Sequence, residues 1–110
     1  MAELIWTEPA LLDLDAIAEY IALDNFNAAQ KLVQKVFKRV ERLEQFPDSG
    51  RRPPELGRTS YREVIVSPCR VFYRVEDDQV FVLYVMRSER LLREFLLDER
   101  DKQIVNGSKV

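Results

Sequence analysis

The residues best suited to chemistry are arginines that follow the predicted strands in the second half of the chain. Alternation along the segment CRVFYRV places Arg70 and Arg74 on one face of a strand, with Phe72 between them. The preceding strand adds Arg62, and the next strand ends at Arg87. Arginine presents a planar fork of five donors that suits phosphate and carboxylate groups. The sequence therefore predicts a basic, partly aromatic surface on or around the sheet.

A structural interpretation of the same arginines stays open. They could be charges on a solvated sheet face, where they would keep strand edges from pairing with other chains. A register slip of one residue would move all of them to the opposite face. Composition does not decide between the two interpretations, because 17 basic and 19 acidic residues give a formal net charge of −2. Bulk charge therefore gives no case for binding to nucleic acid or membranes.

The elements that position these arginines begin with a strand over residues 2–6 and two helices. Thr7 and Pro9 mark the first helix start, and Asn27 is the expected cap of the second, which ends near residues 46–47. Apolar residues at three- and four-residue spacing form a stripe on each helix. Residues 1–24 carry acids and no Lys or Arg, whereas residues 27–46 are mainly basic, so surface ion pairs are expected between the helices.

The second half of the chain reads as a loop, a sheet and a short helix. Residues 47–60 are rich in Pro and Gly, and three strands follow over 61–66, 69–75 and 79–87. Short connections make these strands antiparallel hairpins, and the last strand, apolar on both faces, should be central. Ser88 is the expected cap of a short helix over 88–97, although this segment could instead extend the last strand. The chain therefore reads as one α+β domain over residues 1–97, with a polar, flexible tail over 98–110.

The remaining composition points to a reducing compartment. Cys69 is the one cysteine, which excludes an internal disulfide. No apolar run approaches the length of about 18 residues that spans a bilayer, and the N-terminus lacks the basic start of a signal peptide. We therefore expect a cytoplasmic protein that does not bind membranes. No residue pattern predicts a metal or a cofactor.

Three segments together resemble the RelE/ParE superfamily of type II toxin–antitoxin toxins. They are the start LIWTEPALLDLDAIAEYI, the exit from the second helix FPDSGRRPPELG, and the run YREVIVSPCRVFYRVEDDQVFVLYVMR. The resemblance covers about residues 3–96 and rests on the order and spacing of the segments. It implies a two-helix hairpin packed on a small curved antiparallel sheet.

The superfamily contains two kinds of toxin, and the resemblance implies a different site for each. RelE-like members cleave mRNA in the ribosomal A site. Arg70 matches the arginine that these enzymes place in this strand, and Arg87 matches the one that ends the last strand. A nuclease site on this chain would consist of Arg62, Glu63, Arg70, Tyr73 and Arg87, with Glu63 or Tyr73 as acid or base. ParE-like members inhibit DNA gyrase, which blocks replication, and are not nucleases.

Departures from the nuclease pattern favour the ParE-like branch. Where the family has a late His or Tyr, just after Arg87, this chain has Ser88 and Glu89. The chain has no histidine, and no lysine lies between Lys38 and Lys102. A positioned acid or base contributes about 10²–10⁴-fold to such reactions, and arginine is a poor proton carrier at neutral pH. We therefore expect a non-enzymatic gyrase inhibitor.

The resemblance also implies partners. A cognate ParD-like antitoxin would neutralise the toxin with a flexible segment whose acids meet the sheet arginines, with contacts at Arg62, Arg70, Phe72 and Arg74. Gyrase contacts are expected at the sheet end and in the following segment, at Arg87, Arg90 and Arg93. Sequence-specific DNA binding is expected only through the antitoxin complex. A third hypothesis is a non-toxic family member that acts only as the antitoxin's partner in repression.

Overall fold

The computed structural model describes residues 1–104 and shows one sheet with helices packed on both faces. Its strands are β1 (Glu3–Trp6), β2 (Tyr61–Val66), β3 (Cys69–Glu76) and β4 (Gln79–Arg87). Its helices are α1 (Glu8–Ala22), α2 (Phe26–Glu41), which continues as a 3₁₀ turn over Arg42–Glu44, and α3 (Glu94–Gln103). Within residues 1–104, no helix is long and apolar enough to cross a membrane.

The sheet has the strand order β1-β4-β3-β2 and is mixed. The β2–β3 and β3–β4 pairs are antiparallel hairpins, as the short connections predicted. β1 differs from the expected antiparallel sheet, because it lies parallel to β4, with Glu3 opposite Gln79 and Trp6 opposite Val82. The intervening chain is long enough for such a parallel return. β4 therefore has neighbours on both sides over its first half, which confirms its predicted central position.

Side-chain caps start both helices of the hairpin. The Thr7 hydroxyl accepts a hydrogen bond from the Ala10 amide at 3.4 Å and donates one to the Val82 carbonyl at 2.7 Å, so it also fixes α1 to β4. Thr7 is thus confirmed as the cap of α1. The cap of α2 is Asn25, whose side chain accepts from the Ala28 amide at 3.0 Å. The prediction of Asn27 was wrong by two residues.

The sheet separates two apolar cores. The core under α1 and α2 includes the buried side chains of Leu14, Val36 and Val71, and the core under α3 includes Phe72 and Leu83. Burying one such side chain stabilises a fold by about 1.5–3 kcal/mol. β4 contains a bulge at Leu83. Phe72 of β3 lies opposite Tyr84, and the following residue, Tyr73, lies opposite Val82, so Leu83 has no partner in β3. Leu83 and its neighbour Tyr84 consequently both belong to the α3 core.

The last helix begins later and extends further than the sequence predicted. Residues 88–93 form turns and extended chain, so Ser88 caps no helix, and α3 runs from Glu94 to Gln103. Leu97 and Ile104 are buried against the sheet, which explains why helix continues past residue 97. Residues 98–103 of the expected polar tail are therefore helical. The rest of that tail, residues 105–110, lies outside the described residues.

Candidate functional site

At the outer end of the sheet, the buried side chains of Glu63 and Arg70 pair with each other and with two exposed loop residues, Arg51 and Glu55; we call these four residues the Arg70 cage. Glu63 is 1% exposed, and its two oxygens accept from Arg70 Nε at 2.6 Å and from Arg51 Nε at 2.8 Å. Glu55 accepts from both terminal nitrogens of Arg70, at 2.7 and 2.8 Å. Backbone hydrogen bonds between Arg51 and Glu63 also bind the loop to the β2 edge.

The cage neutralises its own charge. Hydrogen bonding to Glu55 raises the pKa of Arg70. The same bond lowers the pKa of Glu55 against the opposing effect of burial. All three guanidinium nitrogens of Arg70 are engaged by carboxylates, and its carbon lies 5.0 Å from the centre of the Phe72 ring. Arg70 therefore holds a folded loop in place and has no nitrogen without a carboxylate partner in this arrangement.

Arg74 is also paired within the protein. Its Nε donates to Asp101 on α3 at 2.9 Å, and its Nη1 donates to Glu76 at 3.0 Å. The guanidinium carbon lies 5.2 Å from the centre of the Phe81 ring. Arg74 thus joins α3 to the sheet.

An ion pair between α1 and α3 covers the edge of β4 beyond the end of β1. Arg100 donates to Asp13 at 2.9 and 3.1 Å and to the Leu83 carbonyl at 2.8 Å. The Asp13 carboxylate also accepts from the Val85 amide at 3.0 Å. These side chains satisfy the two backbone groups that β1 is too short to reach. The sequence indicated no role for either residue, because a separation of 87 positions leaves no local signal.

Tyr73 and Arg62 lie on the face of the sheet that α1 and α2 cover, and they are opposite each other in the β2–β3 pair. Tyr73 is fully buried, its hydroxyl donates to the Pro47 carbonyl at 2.8 Å and accepts from the Gly50 amide at 2.9 Å, and burial raises its pKa. A Cβ atom at position 50 would lie 2.5 Å from this hydroxyl, so the close approach requires glycine. Arg62 donates to the Gly50 carbonyl at 2.8 Å. Both residues hold the loop.

The five candidate nuclease residues do not meet in one pocket. Glu63 and Arg70 contact each other on the face of the sheet that α3 covers, whereas Arg62 and Tyr73 lie on the face that α1 and α2 cover. Arg87 borders a groove beside α2. The arrangement therefore lacks a set of proton donors and acceptors around one phosphate-sized space.

The arginine surface predicted for antitoxin binding is not open in this structure. Phe72 is fully buried beneath α3, and Arg70 is 6% exposed. Arg74 is largely covered and paired, and Arg62 is turned to the other face. Two glutamates could have indicated that the arginines are paired inside the protein. Glu55 and Glu63 are the two carboxylates among residues 51–74, and both pair with arginines.

The three residues predicted to contact gyrase lie at the end of β4 and in the segment after it. Arg87 donates to Glu89 at 2.8 and 3.0 Å and lies 6.0 Å from the centre of the Tyr20 ring. Arg90 and Arg93 are exposed and form no ion pair within residues 1–104. They are therefore the freer cations of this group.

One flank of α2 carries a row of cations that we call the basic track: Lys31, Lys35, Lys38, Arg39 and Arg42. None of them forms an ion pair within the described part of the chain. The predicted ion pairs between α1 and α2 are therefore absent from residues 1–104. Lys31 and Lys35 instead border a groove that Ser67 and Pro68, in the turn between β2 and β3, also line.

The opposite flank of α2 forms an apolar groove with α1. Two cavities of about 370 and 360 Å³ share Val33 and are lined mainly by apolar residues of both helices, with Phe26 near one end and Phe37 near the other. Both phenylalanines are exposed, at 63% and 40%. Contiguous apolar surface of this kind marks interaction sites in soluble proteins. We call it the hairpin groove.

A helix hairpin lies on one face of a four-stranded mixed sheet, which is the kind of fold that the resemblance to the RelE/ParE superfamily implied. Residues 4–92 match the model of the family described as "ParE toxin of type II toxin-antitoxin system, parDE". The chain therefore belongs to the ParE toxin family of type II toxin–antitoxin systems. The match ends before α3.

Individual proteins agree with this assignment. Toxin RelE2 of Caulobacter vibrioides is 34% identical over 92 residues, which cover 83% of this chain and all of that protein. A structure titled "Chromosomal ParDE TA system from P. aeruginosa" has 30% identity and a TM-score of 0.68, and the match covers 81% of this chain and 98% of that one. A toxin from Helicobacter pylori, with 18% identity and a TM-score of 0.51, shares the fold.

Proposed function

We propose that this protein is a ParE-type toxin that inhibits DNA gyrase without catalysing a reaction and is neutralised by a ParD-like antitoxin. The observation that carries the proposal is the Arg70 cage. Arg70 occupies the position at which RelE-like nucleases hold a phosphate-binding arginine, and here Glu55 and Glu63 engage all its nitrogens. A phosphate would have to compete with two carboxylates for the same donors.

The surroundings of the cage support the same choice. The nearest phenol of the nuclease set, Tyr73, is buried on the other face of the sheet and bonded to the loop backbone. Both oxygens of Glu63 are bonded to guanidinium groups, one to Arg51 and one to Arg70, so this carboxylate serves the structure. Neither group is placed to exchange a proton with a bound RNA.

The antitoxin would cover the hairpin groove with the apolar side of an amphipathic segment. Exposed apolar residues along this groove would otherwise favour self-association. The family match and the related structure titled as a ParDE system support an antitoxin as partner. Val33→Glu, at the point shared by both cavities, should weaken antitoxin binding, whereas Glu41→Gln on the same helix should not.

A second candidate function is ribosome-dependent mRNA cleavage. It is favoured by the name of the relative Toxin RelE2, which matches along its whole length. This function would require Glu55 to release Arg70, because the guanidinium is otherwise occupied. Glu55 is the cage residue able to do so, since it lies in the loop and its side chain is 30% exposed.

The deciding experiment measures both activities on the same purified toxin. We expect loss of DNA supercoiling by purified gyrase and intact mRNA on programmed ribosomes. Cuts in the A site with unaffected gyrase would contradict the proposal and establish the nuclease. Glu55→Ala serves as the matched variant, because opening the cage should increase mRNA cleavage only if Arg70 is catalytic.

Growth after induced expression without antitoxin tests the third hypothesis. Arrest of growth is expected, and normal growth would show a non-toxic protein.

For the gyrase contact we propose Arg90 and Arg93, because the Arg87 guanidinium is already paired with Glu89. The double variant Arg90→Ala/Arg93→Ala should reduce supercoiling inhibition by at least about 10-fold, as loss of exposed charge contacts does at interfaces. Arg52→Ala/Arg58→Ala removes the same charge elsewhere on the surface and should leave inhibition unchanged.

A further inference from the structure

We propose that the basic track, with the groove beside it, is the docking site for an acidic segment of the antitoxin that carries an apolar anchor residue. The proposal rests on the antitoxin part of the proposed function and not on gyrase as the target. It assigns to α2 the charge recognition that the sequence had assigned to the sheet arginines.

The geometry of the track suits an extended partner rather than a point ligand. Lys31, Lys35, Lys38 and Arg42 recur at intervals of three or four residues, so they form one row along the helix. The row runs from Lys31 to Arg42, which is 11 steps along the helix, or about 16 Å at a rise of about 1.5 Å per residue. A peptide segment laid along it would meet one cation per helical turn.

Helix stability does not explain the first two lysines of the track. Lys31 and Lys35 are helical neighbours of like charge, an arrangement that destabilises helices. Lys38 and Arg39 lie in the last turn of α2, where the helix dipole favours cations, but the first two lysines lie well before it. Six other cations of the described chain have carboxylate partners within 4.0 Å, so ion pairs are common in this fold and are missing on this flank.

The groove beside the track identifies the chemistry of the occupant. A cavity of about 470 Å³ lies between the first half of α2 and the turn that joins β2 to β3. Its rim carries three cations, and its apolar lining comes from α1, α2 and the turn: Ile21, Ala28, Leu32 and Pro68. Carboxylates on a peptide would pair with the rim while one apolar side chain fills the cavity.

A nucleic acid fits the same surface less well. A phosphate backbone would use the cations but leave the apolar lining of the cavity uncovered. The chain has a formal net charge of −2, and α1 is acidic, so the surface as a whole does not attract a polyanion. The acidic peptide uses both halves of the site.

The test compares two charge-reversed toxins in binding to the full-length cognate antitoxin, identified as the protein whose co-expression restores growth. The track variant is Lys31→Glu/Lys35→Glu/Lys38→Glu, and the control is Arg52→Glu/Arg58→Glu/Lys102→Glu, which reverses three exposed cations elsewhere. Isothermal titration calorimetry should show about 100-fold or greater weakening for the track variant, because opposed like charges replace ion pairs. The control should bind within about threefold of the unmodified toxin, allowing for the same change in net charge.

Two further variants keep the test decisive. Lys31→Gln/Lys35→Gln/Lys38→Gln removes the charge without adding repulsion, and it should also weaken binding. This variant takes the place of the charge-reversed toxin if that toxin fails to fold. Ala28→Tyr fills the cavity and should weaken binding about 10-fold with every charge in place. Replacing acids of the antitoxin segment by lysine should restore binding to the charge-reversed toxin.

Equal affinity of the track variants and the control for the antitoxin would overturn the proposal. So would tight, salt-dependent binding of a 20-base-pair DNA duplex that is lost in the track variants while antitoxin affinity stays the same. Supercoiling inhibition by the track variants separates the two proposals. Track variants that still inhibit gyrase but no longer bind the antitoxin would support both the gyrase proposal and the docking proposal. If the unmodified toxin does not inhibit gyrase, the gyrase proposal is contradicted and the docking proposal is unaffected.

Discussion

The sheet and helix α2 use positive charge in opposite ways. On the sheet, Arg70 and Arg74 are largely buried, and each is held by two carboxylates. On α2, the lysines of the basic track are exposed and form no ion pair within residues 1–104. A buried guanidinium without a partner is costly, whereas an exposed lysine is solvated at little cost. Burial therefore explains why the sheet arginines are paired with carboxylates. The lysines of α2 remain available for the acidic antitoxin segment that we propose.

The first prediction breaks the buried side of this comparison. Glu63→Ala removes the carboxylate between Arg51 and Arg70 and leaves the buried Arg70 with Glu55 as its remaining carboxylate partner. Loss of one partner from a buried ion pair costs about 3–5 kcal/mol. Urea unfolding at pH 7 should show a loss of this size.

Glu41→Ala is the control, because Glu41 is exposed on α2 and forms no ion pair in the described chain. Its unfolding free energy should change by no more than about 0.5 kcal/mol. Similar values for the two variants would show that the Arg70 cage is not structural.

The second prediction concerns the pair that covers the β4 edge. Asp13→Ala leaves Arg100 without its carboxylate and the Val85 amide without its acceptor. An unsatisfied, partly buried group of this kind costs about 1–3 kcal/mol. Asp15→Ala, two residues along the same helix, removes an exposed carboxylate and should be nearly neutral. Equal stability of the two variants would mean that water replaces Asp13 at the edge.

Part of this comparison was readable from the sequence. The strands Tyr61–Val66 and Gln79–Arg87 begin and end where alternation and turn residues placed them. The Thr7 cap was also predictable, because capping depends on residues three positions apart. Local periodicity is sufficient for features of this range.

The pairing of the arginines was not readable in the same way. Glu55 reaches Arg70 from a loop 15 residues earlier, and the path of that loop depends on Tyr73 and Gly50. The strand alternation placed Arg70 on the correct face but could not show that a loop and α3 cover that face. Contacts fixed by tertiary packing leave no periodic signal.

The third prediction uses pH to loosen the cage. The hydrogen bond from Arg70 lowers the pKa of Glu55 in the folded protein below its ordinary value of 4.5. The unfolded chain therefore binds the proton first, so the contribution of Glu55 is complete above that value and is lost as pH falls through the lower folded pKa. Because the Glu55 side chain is 30% exposed, we expect no more than about 1 kcal/mol.

The measurement compares the unfolding free energies of the unmodified protein and Glu55→Gln between pH 7 and pH 3. The difference should be largest at neutral pH and shrink below about pH 4.5. Glu99→Gln, at an exposed carboxylate of α3, is the matched control for the loss of one surface charge. A constant difference for Glu55→Gln would show that its charge is not what binds Arg70.

The smallest effect is expected on the exposed side of the comparison. Lys31→Gln/Lys35→Gln/Lys38→Gln should leave the unfolding free energy within about 0.5 kcal/mol of the unmodified value, or raise it slightly, because like-charge neighbours on α2 are removed. Adding salt should stabilise the unmodified protein more than the variant, since screening relieves the same repulsion. A loss above about 1 kcal/mol would mean that these lysines serve the fold as the sheet arginines do. Near-neutral stability together with weakened antitoxin binding would instead separate the two uses of charge, because only the lysines would then change binding without changing folding.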